Sequence, residues 1–359
     1  MARRVLIGMS GGIDSTVSAM LLMEQGYDLV GCTFRTFDSI RESCLSKEKG
    51  CCSIESIMEA KHNAERMGFA HHIVDYRDLF REQVIRNFVS EYSHGRTPNP
   101  CVLCNAYIKW GSMLQMADEL GCDYIATGHY ARIAERDGHT YLRCAADTHK
   151  DQTYFLWRLS EQNLRRTLFP LGDLTKDRVR EIAREHGYET LAKKRESQEI
   201  CFVPDNDYRR FLRDEGVQTT PGDYVDATGK VLGRHEGFPN YTIGQRKGLG
   251  IALGAPRFVT AIDATHNRVM LGERDDLLAT TATADHALLI DPEALRRNPH
   301  VLARVRYRSQ AVPAIVDSTD YPVLRLQFQA PVWGITPGQS LVLYQDDLVV
   351  GGGLLKSEN

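Results

Sequence analysis

The apolar positions of the first two hundred residues switch repeatedly between short unbroken runs and helical spacing. Val5-Leu6-Ile7 is a buried-strand run; Ile13, Val17, Met20 and Leu21 then recur at helical intervals up to Gly26, a helix stop. Leu29 to Phe34 reads as a second strand. Ser53 caps a predicted helix through Ile54, Ile57, Met58 and Ala64, ended by Gly68. His72 to Tyr76 follows as a strand, Leu79 to Tyr92 and Tyr107 to Leu120 as helices, and Tyr124 to Thr127 as a fourth strand. Strands alternating with helices predict a parallel sheet with right-handed crossovers.

The pattern changes after about Pro204. Asp207 to Gly216 reads as one more short helix, followed by turn-rich stretches such as Thr220-Pro221-Gly222-Asp223 and Asp226-Ala227-Thr228-Gly229. From about Ala284 only strands are predicted, at Val301 to Tyr307, Val312 to Asp317, Val323 to Phe328 and Ser340 to Tyr344. The expected fold class is α/β in three domains. These are a parallel-sheet catalytic domain over 1–205, a small central α+β linking domain over 206–283 and a C-terminal β-barrel over 284–359.

The length of 359 residues agrees with more than one core. Hydrophobic content of 42% beside 25% charged residues describes a globular chain and excludes a disordered one. No run approaches the roughly 18 apolar residues of a membrane span, so no membrane partner is expected. Met1-Ala2-Arg3-Arg4 leads straight into a strand, unlike a signal peptide, and a cytoplasmic enzyme is expected. A net charge of −3 argues against nonspecific coating of nucleic acid but leaves room for a local basic surface. Nine cysteines, with Cys51 and Cys52 adjacent, fit reduced thiols better than a disulfide framework.

Candidate chemistry begins at Gly8-Met9-Ser10-Gly11-Gly12-Ile13-Asp14-Ser15-Thr16, directly after the first strand and opening the first helix. Open α/β sheets bind ligands at that end of a strand. Two glycines let backbone N–H groups approach an anion, the helix dipole favours it, and Ser10, Ser15 and Thr16 offer hydroxyls. No lysine follows the glycines, so this is not a Walker A loop, and the dinucleotide glycine spacing is missing too. The loop resembles that of the N-type ATP pyrophosphatases, which implies ATP, with Mg2+, as a ligand.

Two cysteine elements narrow the chemistry. Thr97-Pro98-Asn99-Pro100-Cys101-Val102-Leu103-Cys104-Asn105 is a proline-punctuated loop leading into a helix, where a thiolate is favoured by the dipole. Glu196-Ser197-Gln198-Glu199-Ile200-Cys201-Phe202 follows the basic run Lys193-Lys194-Arg195, and cationic neighbours favour a thiolate or persulfide at Cys201. Arg296, Arg297, Arg304, Arg306 and Arg308 make the predicted barrel locally basic. On a strand, Arg304, Arg306 and Arg308 would share one face, which suits phosphate contacts.

With the nucleotide loop and both cysteine elements, the sequence resembles the bacterial tRNA-specific 2-thiouridylase family. The resemblance extends to Ala126-Thr127-Gly128-His129-Tyr130, Lys150-Asp151-Gln152-Thr153-Tyr154-Phe155-Leu156, Thr242-Ile243-Gly244-Gln245-Arg246-Lys247-Gly248-Leu249-Gly250 and Arg304-Val305-Arg306-Tyr307-Arg308. It implies a tRNA-uridine 2-sulfurtransferase: ATP adenylates the 2-oxygen of the wobble uridine of tRNAs for Lys, Glu and Gln, and sulfur then replaces that oxygen. Cys201 resembles the persulfide carrier and Cys104 the catalytic nucleophile. The persulfide sulfur would come from a cysteine desulfurase, directly or through a sulfur-relay protein. Gly128 resembles an ATP-contacting glycine and Phe34 a residue of the adenine pocket. Asn99, Pro100 and Cys101 match the segment facing the target base. His129, Lys150, Asp151, Gln152, Arg306, Tyr307 and Gln339 match tRNA-side positions.

Where many members of that family have Asn-Pro-Asp, this chain has Asn99-Pro100-Cys101. Cys101, Cys104 and Cys201 are enough thiols for a [4Fe–4S] cluster with one open iron, although the preferred reading has Cys101 as a spare thiol and no metal. Cys44, Cys51 and Cys52 form a second group, either a redox or metal site or incidental reduced thiols.

Overall fold

The computed structural model describes residues 2–37, 54–194, 200–252 and 254–357. Ser53, Cys44, Cys51, Cys52 and the segment Arg195 to Glu199, all singled out above, lie outside them. The chain divides into two compact units: Met1–Val84 with Cys101–Asn206 and Asp347–Val349, and Ile85–Pro100 with Asp207–Asp346 and Val350–Asn359.

The first unit is built on a parallel sheet. Its strands are β1 (Arg4–Gly8), β2 (Asp28–Arg35), β3 (Ala70–Asp75), β4 (Tyr124–Ala126) and, after a hairpin of β5 (Arg132–Arg136) and β6 (His139–Arg143), β7 (Thr167–Leu168). Their order is β3-β2-β1-β4-β7, all neighbours parallel. The chain winds outward from β1 through β2 and β3, then returns to the other side of β1 at β4. Strand order therefore reverses between β1 and β4, and a crevice opens at their carboxyl ends. Helix α1 (Ile13–Glu24) covers one face through Val17 and Met20, packed with Val179, Ile182 and Leu191. Val5, Ile7, Leu22 and Ala60 of α2 (Ile54–Met67) form a second cluster.

The four predicted strands of this region are present within two residues of their expected bounds. The first two helices match their expected extents, and the next two are longer than their periodicity suggested. The stretch expected from Leu79 spans Arg77–Phe80, Arg81–Ile85 and Arg86–Ser93, with π winding in its middle piece. The helix expected from Tyr107 begins at Pro100, runs through Pro100–Leu103, turns π-wound over Cys104–Ser112 and finishes at Glu119. Proline at the first helical position is pre-set for that conformation and needs no N–H, so the helix starts there. The hairpin β5–β6 and the helix Lys176–Glu185 were not foreseen.

The second unit holds two separate sheets. β8 (Gly222–Val225), β9 (Val231–His235), β10 (Phe258–Asp263) and β11 (Arg268–Gly272) pair in the order β10-β11-β8-β9 around Tyr224, Tyr241, Val259 and Leu271. β12 (Leu278–Leu289), β13 (His300–Arg304), β14 (Val312–Asp317), β15 (Leu324–Trp333), β16 (Ser340–Gln345) and β17 (Leu348–Leu355) run in the order β12-β15-β14-β13-β16-β17. Pairing of β12 with β17 closes them into a six-stranded barrel. Alternating burial from Leu324 to Phe328 places leucine and phenylalanine inside.

One expectation fails here. β13 ends at Arg304, and residues 305–308 form a bend and turn. Arg304, Arg306 and Arg308 therefore do not share a strand face. The reason is local: the Arg306 N–H and carbonyl are both taken by Ser309, the N–H donating to Ser309 Oγ at 3.2 Å and the carbonyl accepting from it at 2.8 Å.

Candidate active site

The loop after β1 is a tight nest. Gly11 has φ +68°, and a β-carbon there would lie 2.2 Å from the Ser56 carbonyl oxygen, so only glycine lets α2 approach. Ser15 Oγ accepts the Ser10 N–H at 3.2 Å and donates to Gly12 O at 3.1 Å; Thr16 Oγ1 donates to the same carbonyl at 3.0 Å. The Ser15 and Thr16 hydroxyls are thus buried and turned inward to shape the loop, whereas Ser10 is exposed. Met9 and Ile13 are buried and anchor the two sides of the loop.

Gly128, two residues past β4, packs directly against this loop. A β-carbon at 128 would stand 2.8 Å from both Asp14 C and Ser15 N. Gly8 packs on Met113, and the half-buried Phe34 ring stands edge-on to Tyr76 at 4.8 Å. Exposed Ser10, the start of α1 and the glycine-lined wall leave a cradle of N–H groups suited to polyphosphate.

Asp14 carries more than a helix cap. Lys176 Nζ lies 2.8 Å from each of its carboxylate oxygens, and the Tyr130 hydroxyl donates to Oδ1 at 2.8 Å. Lys176 is only 5% exposed and sits over the Tyr130 ring at 5.7 Å. A buried ammonium persists only when paired, and this one is paired beside an anion nest. Neither Lys176 nor Tyr130 was singled out as a functional group from the sequence. The one local signal was Thr175, which caps the helix by accepting the Arg178 N–H and so places Lys176 in its first turn.

The cysteines are placed by helix geometry. Cys101 lies in the first turn of the helix begun by Pro100, and Cys104 opens its π-wound stretch, a winding that often marks functional sites. Cys101 shows surface to solvent, yet protein around its thiol is dense enough for desolvation to push its pKa up, Lys109 opposing. Cys104 and Cys201 are both partly buried. Cys201 follows Ile200 in a tight turn closed by the Val203 N–H donating to Ile200 O at 2.9 Å. The next residue, Phe202, stacks edge-on against Phe80 at 5.7 Å, and the short Phe80 helix packs against Cys104–Ser112. Both thiol-bearing segments therefore meet one common element. Among the described residues no three His, Cys, Asp or Glu side chains are gathered as metal ligands, so Cys101, Cys104 and Cys201 do not stand together as a cluster site in this geometry.

The remaining predicted positions divide by where their side chains point. Asp151 is buried and accepts the Ala145 N–H at 3.0 Å and the Thr153 hydroxyl at 2.7 Å; Gln152 Oε1 accepts the Tyr130 N–H at 2.9 Å. Lys150 is half-buried on the same turn. His129 packs on Trp110 at 5.6 Å with its Nδ1 2.8 Å from Thr127 Oγ1. Burial, with Lys109 adding to it, holds its pKa well below the ordinary histidine value, so the ring is neutral near pH 7. Neighbouring Asn105 is buried and donates through Nδ2 to Phe155 O at 2.9 Å.

In the second unit, Gln339 Nε2 donates to both Thr97 O and Pro98 O at 3.0 Å. The Thr97 N–H in turn donates to Pro337 O at 2.9 Å. The backbone just before half-buried Asn99 and buried Pro100 is thus held by the Pro337–Gln339 loop. Arg306 is spent on protein: Nε donates to Gly334 O at 2.8 Å, Nη2 to Ile243 O at 3.0 Å and to the Thr336 hydroxyl. Half-buried Tyr307 follows it in the turn. Arg306 also lines a basic groove of about 390 Å3 with Arg209, Gln245 and Lys247.

Comparison with known proteins agrees along the whole chain. A family model described as the tRNA methyl transferase HUP domain matches residues 3–205. The tRNA methyl transferase PRC-barrel domain matches 209–273, and the aminomethyltransferase beta-barrel domain matches 280–355. A protein of Amoebophilus asiaticus named tRNA-specific 2-thiouridylase MnmA is 48% identical over 99% of this chain and 95% of its own length. Proteins of the same name from Cytophaga hutchinsonii and Carboxydothermus hydrogenoformans are 46% and 44% identical, covering 99% of this chain and 97% and 98% of theirs. With such identity from end to end, the chain belongs to the tRNA-specific 2-thiouridylase family.

Proposed function

We propose that this chain is an ATP-dependent tRNA-uridine 2-sulfurtransferase that converts the wobble uridine of tRNAs for Lys, Glu and Gln to 2-thiouridine. The observation that carries this reading is that the phosphate nest and both thiol segments belong to one compact unit, the Cys104 helix and the Cys201 turn meeting at the Phe80 helix. Transfer of a methyl group, suggested by the names of two family models, would leave a pyrophosphate nest without a role.

ATP, with Mg2+, occupies the cradle of Gly8 to Ser15, Phe34 and Gly128. The uridine 2-oxygen attacks the α-phosphorus, pyrophosphate leaves, and carbon 2 carries an adenylate leaving group. A persulfide on Cys201, supplied by a cysteine desulfurase or a relay protein, attacks carbon 2 through its terminal sulfur and AMP departs. Cys104 thiolate then attacks Cys201 Sγ itself. The S–S electron pair passes to the sulfur on carbon 2, leaving 2-thiouridine and a Cys104–Cys201 disulfide that an external dithiol must reduce. In an alternative route Cys104 frees the sulfur before it reaches carbon 2. Asn99, Pro100 and Cys101 face the base. His129, Lys150, Asp151, Gln152, Tyr307 and Gln339 form or support the RNA side. Cys101 is read as a spare thiol, since no third His, Cys, Asp or Glu ligand joins it among the described residues. A cytoplasmic setting follows from reduced thiols and a tRNA substrate.

The test is to incubate the protein with ATP, a persulfide source and unmodified tRNA and to analyse the nucleosides. Cys104→Ser and Cys201→Ser should each abolish 2-thiouridine while tRNA still binds. Normal thiolation by either variant would overturn the assignment.

A further inference from the structure

The turn 147–152 is tied to the Asp14 carboxylate by two separate legs. In the first, Gln152 brackets the Tyr130 backbone: Tyr130 N–H donates to Gln152 Oε1 at 2.9 Å, and Gln152 N–H donates to Tyr130 O at 2.9 Å. The Tyr130 hydroxyl then reaches Asp14 Oδ1 at 2.8 Å. In the second, Asp147 Oδ2 accepts the Lys176 N–H at 3.0 Å, and Lys176 Nζ grips both Asp14 oxygens at 2.8 Å. The turn itself is closed by the Lys150 N–H donating to Asp147 O at 3.0 Å. One carboxylate at the lip of the phosphate nest is therefore braced from both ends of one turn.

We propose that Tyr130 and Lys176 are positioning residues that couple the two substrates, so that nucleotide in the nest and RNA on the turn 147–152 favour one another. The inference rests on the reading of Lys150 to Gln152 as an RNA-side turn. Lys176 is 5% exposed, so its ammonium exchanges partners with protein or ligand, not with water. Polyphosphate in the nest competes with Asp14 for that ammonium, and as Lys176 turns toward phosphate the Tyr130 hydroxyl becomes the main fixed donor to Asp14. RNA settling on the turn restrains Gln152 and Asp147, and with them the Tyr130 and Lys176 backbones. Either ligand thus orders donors that the other needs, and the second to arrive meets a smaller ordering cost.

The experiment is an equilibrium titration of the full-length protein with a non-hydrolysable ATP analogue, with and without saturating unmodified tRNA. In the unaltered protein tRNA should tighten analogue binding by about fivefold or more, the usual scale of such coupling. In Tyr130→Phe and in Asp147→Ala, each cutting one leg, that factor should fall to within about twofold of unity. A merely structural defect would weaken both ligands alike and leave their ratio unchanged, and Tyr130→Phe keeps the buried ring so the fold has little reason to fail. A factor near one in the unaltered protein, or a full factor in both variants, overturns the coupling alone. Failure of tRNA to bind at all overturns the proposed function and the coupling with it.

Discussion

Gly128 and Asp14 stand so close that a β-carbon on the glycine would lie 2.8 Å from the Asp14 carbonyl carbon, although 114 residues separate them, as their sequence numbers show. The backbone just past β4 and the start of α1 are pressed together without a side chain between them. Gly128→Ala should push the loop outward, a strain of about 1–3 kcal/mol for an added methyl in a packed contact. Nucleotide affinity should drop by about tenfold or more, measured by titration with an ATP analogue. An unchanged affinity would mean the loop does not need that wall.

Gln339 should matter for catalysis without touching either thiol. Its amide holds Thr97 O and Pro98 O, and so aims the Asn99-Pro100-Cys101 segment. Gln339→Ala removes two neutral hydrogen bonds, each contributing about 0.5–1.5 kcal/mol. The expected loss is about tenfold in kcat/KM for tRNA, with ATP affinity unaffected. Gln339→Glu should be worse, because a carboxylate would face two carbonyl oxygens.

Arg306 makes its hydrogen bonds to protein, so it should behave as a brace and not as a phosphate ligand. Arg306→Met should lower the melting temperature by several degrees, since charged hydrogen bonds contribute about 1.5–3 kcal/mol each. The salt dependence of tRNA binding should keep its slope. Exposed Lys247, in the same groove, is the contrast: Lys247→Ala should reduce that log–log slope by about one phosphate contact. A reduced slope in Arg306→Met would show that its guanidinium reaches RNA.

His71 gives the protein an acid-sensitive point beneath the nucleotide loop. Thr33 Oγ1 donates to Met9 O at 2.7 Å, so His71 Nε2, at 2.9 Å, must donate to Thr33, leaving its Nδ1 buried with no partner among the described residues. Burial, assisted by His72 and Lys61, lowers its pKa to about 4. The unfolded chain takes up this proton near pH 6.5 and the folded chain only near 4. The stabilisation is therefore complete above pH 6.5 and is lost as pH falls through that window. Thermal melts from pH 7 to pH 4.5 should show a smaller loss in His71→Gln than in the unaltered protein; parallel curves would contradict the assignment.

Much of this was legible in residue order. Period changes located the four main strands, because a buried parallel strand and an amphipathic helix differ in local spacing alone. Gly11, Asp14, Cys104 and Cys201 stood out for the same reason: glycines between a strand and a helix, and cysteines after a proline-rich turn or a basic run, are patterns of adjacent residues. The helix around Cys104 starts before its apolar rhythm does: the rhythm begins at Tyr107, whereas proline pre-organisation begins the helix at Pro100.

Tertiary structure alone decided what these residues work with. Tyr130 and Lys176 reach Asp14 across 116 and 162 residues, and Gln339 reaches Thr97 across 242. Such pairings leave no period in the chain, because a hydrogen bond made by a side-chain tip constrains neither partner's neighbours. The same holds for Arg306, whose charge suggested RNA and whose three protein acceptors only the fold brings to it. The sequence by itself determined the strand–helix order, the motifs and the family they resemble; the packing decided which groups brace those motifs, since bracing needs atoms brought to about 3 Å by the fold.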